Sequence, residues 1–157
     1  VAEGIHALND MLTGSHPNAL KLYISARSNV ERDGEIVFKA TWMRLVRRVV
    51  RDYKFRGASP EYTFSLWANV RRGEKNNISP FKDKANWKFD SSFPYEVGVM
   101  KSVAESMFCH VPDGTPRCEE LRHICPAFDL FEAIDTSYLL KDSLLTEFVG
   151  GGKYKYD

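Results

Sequence analysis

The chain has 157 residues and a formal charge of +1, with 22 Lys and Arg against 21 Asp and Glu. This length suits a single domain, and a hydrophobic content of 43% is ordinary for a globular protein. The balanced charge excludes a globally basic nucleic-acid-binding protein, although local basic patches are still compatible with it. The apolar runs are far shorter than the roughly 20 residues that span a bilayer, so we expect no membrane partner.

The first residues and the cysteines bear on the kind of chain and on its compartment. The chain opens with residues 1–5 without a Met and without a helix cap or turn in front of them, so we expect them to end a buried strand in a fragment of a longer protein. The cysteines Cys109, Cys118 and Cys125 are an odd set, which does not indicate a disulfide framework, and their spacing does not match a zinc site. We therefore expect buried free thiols and, since no leader pattern is visible, a cytoplasmic protein.

The hydrophobic periodicity predicts strands that alternate with helices. The predicted elements are a strand at 20–25, a turn at 33–34, a helix at 41–55, a helix from Ser59 to about 72, a loop at 73–81, a strand at 87–89, helices at 94–108 and 115–124, and a loop after 142. This alternation favours an α/β fold, although two or three strands are few for a self-sufficient sheet.

The helix predicted at 41–55 carries the strongest charge signal. The span 39–58 contains seven Lys and Arg residues and one acid, Asp52, so its local charge is +6. Helical spacing gives this helix an apolar face formed by Trp42, Leu45, Val46, Val49 and Tyr53. It also gives the helix a cationic face formed by Arg44, Arg47, Arg48 and Arg51.

A solvated surface is the common explanation of such a charge run. These arginines, however, lack the acidic partners at i±4 that a solvated helix usually has. The planar guanidinium group also suits bidentate contact with phosphate. The pattern therefore predicts that this face binds a polyphosphate or a nucleic-acid backbone.

Glu3 is the second candidate for a functional side chain. If residues 1–5 end a parallel strand, its carboxylate lies in the crevice where α/β proteins bind ligands. In that position Glu3 would hold Mg²⁺ directly or through a water molecule.

Two arginine motifs are the most specific features of the chain: Arg-Arg-x-x-Arg-Asp at 47–52 and Arg-Arg-Gly-Glu at 71–74. These motifs lie within two longer segments, 44–57 and 70–78, that carry the family pattern. The other segments that carry it, in chain order, are Glu-Gly-Ile-His-Ala-Leu at 3–8, Tyr-Ile-Ser-Ala at 23–26, Trp67, Pro-Phe at 80–81, Tyr-Glu at 95–96 and the stretch 143–151. Across nearly its whole length the chain resembles the C-terminal portion of a uridine kinase-like P-loop nucleoside kinase, of the phosphoribulokinase/uridine kinase family.

This resemblance implies part of a P-loop NTPase fold over residues 1–157, a parallel sheet with flanking helices and a helical lid at 39–58. It implies that the parent protein uses ATP and Mg²⁺ to phosphorylate the 5′-hydroxyl of a nucleoside such as uridine or cytidine. The catalytic residues that it assigns are Arg48, Arg51 and Arg56. The residues that it assigns to ATP are Arg44, Arg47, Arg51 and Arg56, and Glu3 is assigned to the metal. The family pattern is interrupted at Trp42, Ala58 and Leu66, so the resemblance does not fix the nucleoside.

The phosphate cradle of such kinases is Gly-x-x-x-x-Gly-Lys followed by Ser or Thr. That sequence does not occur in the 157 residues, so we expect no turnover from these residues alone. The expected partners are ATP and a nucleoside, with a homo-oligomer as a further option and no nucleic acid. The alternative that stays open is a non-catalytic phosphate- or RNA-binding module, and a third is an interaction domain of a larger protein.

Overall fold

The computed structural model describes residues 1–154 of the chain. Its strands are β1 (Leu22–Ser25), β2 (Val30–Arg32), β3 (Glu35–Phe38) and β4 (Trp87–Asp90). Its helices are α1 (Asp10–Thr13), α2 (Ala40–Arg56), α3 (Pro60–Asn77), α4 (Glu96–Phe108), α5 (Cys118–Arg122), α6 (Ile124–Phe128) and α7 (Thr146–Val149), and two 3₁₀ helices span Ser79–Lys84 and Thr136–Tyr138.

The four strands form two separate small sheets. β1 and β4 pair in parallel, with Leu22 opposite Trp87 and Ser25 opposite Asp90. β2 and β3 form an antiparallel hairpin around the turn that the sequence predicts at 33–34, where both residues have positive φ. The molecule is therefore mixed α/β, with two short sheets beside longer helices.

α2 is the central helix of the core and confirms the helix predicted at 41–55. It packs against α3, α4 and α7 through a side that is completely shielded from solvent. The fully buried residues of that side are Leu45, Val46, Val49 and Val50. Gly57 ends the helix in the left-handed conformation that favours glycine, at φ 65°. Tyr53 is exposed, so its placement on the buried side is wrong.

The start of α3 follows the sequence signals closely. The Ser59 side chain accepts a hydrogen bond of 3.2 Å from the backbone N–H of Tyr62, and Pro60 occupies the first turn. The helix does not stop near 72, however, but continues through Asn77 with Gly73 inside it. The loop predicted at 73–81 is therefore wrong, and a 3₁₀ helix follows α3 after Ile78.

Aromatic side chains join the remaining helices to this core. The Phe38 ring lies 5.2 Å from that of Phe128, and the Phe64 ring lies 5.1 Å from that of Phe108. These contacts connect β3 to α6 and α3 to α4, which together enclose the buried side of α2.

Three other predictions about local structure are wrong. Residues 1–3 have no regular structure and are exposed, so they do not end a buried strand. The helix predicted at 115–124 is divided between α5 and α6, which meet at His123. The predicted loop after 142 contains α7, because burial of Phe148 and Val149 against α2 stabilises a short helix there.

The cysteines also differ from expectation. Cys109 at the end of α4 and Cys125 in α6 form a disulfide, and Cys118 is free. The packing of α4 against α6 brings the two Cα atoms to 5.2 Å although 16 positions separate them in the sequence. Among the described residues, no helix combines the length and the apolar character that crossing a membrane requires.

Candidate functional site

An open cleft of about 280 Å³ lies at the carboxyl end of the parallel strands β1 and β4. Ile24, Ser25 and Ala26 line it from β1 and its end, and Ser91 lines it directly after β4. Phe148 of α7 lies on another side of the cleft. The carboxyl ends of parallel strands are the common position of ligand sites in α/β proteins.

α2 supplies the cationic wall of this cleft. The four arginines predicted to share a face all line it: Arg44, Arg47, Arg48 and Arg51. Their spacing of three, four and seven positions keeps them on one side of the helix, while the valines and Leu45 turn into the core. The cationic face is therefore confirmed, and it borders a cleft.

Arg47 is the most buried of the four arginines. Its side chain makes a two-pronged ion pair with Glu96, in which Nη2 lies 2.7 Å from Oε2, and it also donates a 2.7 Å hydrogen bond to the carbonyl of Ser91. Arg47 is 8% exposed and Glu96 is 2% exposed. The Phe148 ring lies 5.2 Å from the guanidinium carbon. These contacts hold Arg47 as a buried support that joins α2, α4 and the residues after β4.

The prediction that the arginines lack acidic partners is wrong. In addition to the Arg47–Glu96 pair, the ion pairs of the cleft are Arg44 with Glu74, Arg48 Nε with Asp52 at 3.3 Å, and Arg51 Nη1 with Glu147 at 3.4 Å. Asp52 is four positions from Arg48, so this pair is a helical i, i+4 contact. The other carboxylates come from α3, α4 and α7, and only tertiary folding brings them to the arginines.

The lining of the cleft is nevertheless cationic, because those four carboxylates are not among the residues that line it. The Nε atoms of Arg48 and Arg51 are buried beside Asp52, at 3.3 Å and 3.8 Å from its carboxylate, and neither has the geometry of a hydrogen bond within the described part of the chain. The side chains of Arg48 and Arg51 are 29% and 28% exposed, so an oxyanion in the cleft would reach their exposed parts and not the buried Nε atoms.

Arg44 shows the electrostatic cost of this arrangement. Burial, and next the positive charge of Arg71, lowers the pKa of the Arg44 guanidinium from its usual value. Arg47 acts in the same direction, while Tyr23 partly opposes the shift. The protonated form is therefore disfavoured here relative to water, and a bound anion would reduce that penalty.

Two of the predicted site residues lie elsewhere. Arg56 is 57% exposed on its side chain and pairs with Asp52 at 3.0 Å, and it does not line the cleft. Glu3 is exposed in the irregular segment 1–3 and does not line the cleft either. Because residues 1–3 form no strand, the geometry on which the Glu3 prediction depended is absent from the described chain.

Asp90 organises the ends of the two parallel strands. Its carboxylate accepts hydrogen bonds from the Ser28 hydroxyl at 2.7 Å, the Ser92 hydroxyl at 2.7 Å and the Arg27 backbone N–H at 3.0 Å. Local desolvation raises the pKa of Asp90, but these hydrogen bonds outweigh it and hold the pKa well below its usual value. Asp90 thereby ties the segment after β1 to Ser91, whose carbonyl holds Arg47.

Sequence reasoning did not single out Phe148 and Ser91 as site residues. Phe148 contributes its ring face to Arg47 and Arg51, and Ser91 contributes a backbone carbonyl. Ser91 follows the predicted strand at 87–89, so the rule for strand ends could have indicated it. Phe148 gave no such signal, because its contact to α2 depends on the helix α7.

The residues described here do not bring together a metal site, since no group of three or more His, Cys, Asp and Glu side chains has the required arrangement. Comparisons of the chain with known protein families, with curated proteins and with solved structures found no match.

Proposed function

We propose that this chain is part of a longer uridine kinase-like nucleoside kinase, in which it binds the phosphate groups of ATP. The observation that carries the proposal is the cleft at the carboxyl ends of β1 and β4, which is lined by four arginines and by no carboxylate. The motifs at 47–52 and 71–74 supply the family part of the proposal. The proposal still assigns the protein to the cytoplasm, although the Cys109–Cys125 disulfide removes the free-thiol argument for that compartment.

The residues of the cleft have different tasks in this proposal. Arg48 and Arg51 contact phosphate oxygens, because both line the cleft and keep part of their side chains exposed. Arg44 adds a further positive charge, while Arg47 positions the wall through Glu96. In phosphoryl transfer, catalysis depends mainly on orientation and on neutralising the charge that spreads over the transferred group. Arg56 has no such contact, so we assign it to the end of α2 and not to the ligand.

The described residues do not fit the Mg²⁺ that such a reaction requires. Glu3 is exposed and no cluster of ligating side chains accompanies it. The phosphate cradle motif is also missing from the 157 residues. In the proposed kinase, other parts of the longer protein would supply both, and this chain alone would not turn over ATP.

Binding of inorganic triphosphate and of ATP, measured by isothermal titration calorimetry, tests the role of the cleft. We expect Arg51→Ala to weaken the cleft's affinity by about ten-fold, since a charge-assisted hydrogen bond contributes roughly 1.5–3 kcal/mol. Arg56→Ala is the matched control, because it removes an arginine from the same helix that does not line the cleft. Equal affinities of the wild-type protein and Arg51→Ala would contradict the proposal.

The second candidate, a non-catalytic phosphate- or RNA-binding module, is favoured by one observation: the chain has an arginine cleft but no cradle motif. The two functions differ in what they predict for the longer protein. ATP consumption that depends on an added nucleoside supports the kinase. RNA binding that weakens steeply with salt, without ATP consumption, supports the binding module.

A further inference from the structure

A second basic cavity, of about 390 Å³, lies along α3 and the residues that follow it. It is lined by Ala68, Arg71, Arg72, Lys75, Ser79 and Arg117. Four of these six residues are cationic and none is acidic. They come from α3, from the 3₁₀ helix that follows it and from the segment before α5, so the cavity exists only in the folded chain.

The local backbone explains why these charges converge. α3 continues past Gly73 to Asn77. Because the helix continues, Lys75 lies one turn beyond Arg71 and Arg72 on the same surface of α3. The 3₁₀ helix Ser79–Lys84 then brings Ser79 back to that surface. Arg117 has a left-handed backbone, at φ 64°, directly before α5.

Internal carboxylates compensate only part of this charge. Arg71 pairs with Glu74 at 2.5 Å, and Arg117 pairs with Glu120. Arg72 donates to the amide oxygen of Asn69 at 2.6 Å, which is neutral. Within residues 1–154, neither Arg72 nor Lys75 has a carboxylate within ion-pair distance. Two positive charges in the cavity are therefore uncompensated.

We propose that this cavity is a second anion site that binds a compact polyanion, a diphosphate or triphosphate group. Its size is that of small-molecule sites, which hold ligands in about 300–1,000 Å³. The lining contains one small apolar residue, Ala68, and no aromatic ring, so it offers no surface on which a nucleobase stacks. Arginine and lysine donors are the groups that bind phosphate oxygens, and Ser79 adds a hydroxyl to the lining. This site does not depend on the proposed kinase function.

Calorimetric titration of the purified chain with inorganic triphosphate tests the proposal. We expect two binding events in the wild-type protein. The double variant Arg72→Ala with Lys75→Ala should lose one of them, with a decrease in affinity of about ten-fold or more at that site. Arg48→Ala with Arg51→Ala should instead lose the event of the arginine cleft, so failure of either site is seen separately.

A matched control removes the same charge elsewhere. Arg32→Ala with Lys141→Ala takes one exposed arginine and one exposed lysine from positions outside both cavities. A defined site is supported if this control keeps two binding events and Arg72→Ala with Lys75→Ala keeps one. If triphosphate affinity falls equally in both double variants, the proposal is overturned, because binding then reflects general attraction of the anion to positive surface charge. Displacement of triphosphate by a short RNA at lower concentration would overturn the assignment to a compact polyanion.

Discussion

The arginines of α2 show how burial decides what one residue type does. Arg47 and Glu96 are removed from water, and each satisfies the other through two contacts. Arg48 and Arg51 sit on the same helix but keep part of their side chains in the cleft, with longer contacts to carboxylates. The first arrangement holds elements together, whereas the second leaves donors for a ligand.

Removing Glu96 tests the structural role of this buried pair. We expect Glu96→Ala to lower the free energy of unfolding by about 3–5 kcal/mol, because it leaves the Arg47 charge buried without its partner. Glu105→Ala is the control, since Glu105 makes a partly exposed i, i+4 pair with Lys101 at 3.6 Å and should cost less than about 1 kcal/mol. Urea denaturation measures both. A similar loss in the two variants would show that Arg47 does not depend on Glu96.

The sequence could predict which arginines share a face, but not which of them are neutralised. Asp52 was visible as a neighbour of Arg48, because helical spacing relates them. Glu74, Glu96 and Glu147 come from other elements, and nothing in local spacing connects them to α2. The charge excess of 39–58 is therefore a correct local prediction, whereas its compensation by carboxylates of other elements depends on tertiary contacts that the sequence pattern does not show.

At the scale of elements, two helical glycines have opposite surroundings. A Cβ atom on Gly98 in α4 would lie 2.7 Å from the carbonyl oxygen of Glu132 and 3.0 Å from the Ile134 side chain. A Cβ atom on Gly73 in α3 would meet nothing within 4 Å. The close approach of the segment after α6 to α4 therefore requires glycine at 98 but not at 73.

This difference predicts opposite effects of the same substitution. Gly98→Ala should lower the free energy of unfolding by about 1–3 kcal/mol, because backbone atoms must move apart to admit the methyl group. Gly73→Ala should raise it by about 0.5–1 kcal/mol, because alanine restricts the unfolded chain and favours the helix. Thermal and urea denaturation of the two variants measure this. Stabilisation by Gly98→Ala would show that the two segments are not held at this distance.

The disulfide gives a second prediction for elements, at the junction of α4 and α6. Reduction of Cys109–Cys125 should lower the free energy of unfolding by about 3 kcal/mol, the chain-entropy value for a loop of some 15 residues. Cys118→Ser is the control, since it changes a partly buried thiol that forms no disulfide, and it should cost no more than about 1 kcal/mol. Denaturation with and without a reductant tests both statements. Equal stability of the oxidised and reduced protein would contradict the expectation.

The elements themselves were predictable where short-range signals determine them. The Ser59 cap, Pro60 and the Gly57 stop are local signals, and the helices lie where they predict. α7 and the continuation of α3 past Gly73 are instead stabilised by their neighbours, since α7 buries Phe148 and Val149 against α2. For the β2–β3 hairpin, the sequence predicts the turn but not the two strands.

At the scale of the whole molecule, the helices and not the sheets form the core. Parallel sheets are normally covered on both faces, yet β1 and β4 expose one apolar face. The exposed residues of that face are Leu22, Ile24, Trp87 and Phe89. The parallel pairing joins segments that are 65 positions apart, as in the bond from Lys21 N–H to the Asn86 side chain. A sequence pattern can suggest the two strands, but their partnership depends on α2 and α3 folding between them.

The two basic cavities are linked through one carboxylate. Glu74 contacts Arg44 of the first cleft with one oxygen and Arg71 of the second cavity with the other. Both arginines line their respective cavities, so Glu74 competes with a bound anion at each of them. Its charge therefore opposes anion binding in both cavities.

Replacing this carboxylate should strengthen binding at both sites at once. Because Gln keeps the size of Glu but removes its charge, we expect Glu74→Gln to tighten triphosphate binding by about two- to five-fold at each site, the effect of removing a partly screened charge. Glu105→Gln, which changes a carboxylate that lines neither cavity, should leave both affinities as in the wild-type protein. The two events in a calorimetric titration report the sites separately, and circular dichroism checks that the variants are folded. A change at one site alone would mean that Glu74 does not connect them, and weaker binding at both would mean that it holds Arg44 and Arg71 in place for the ligand.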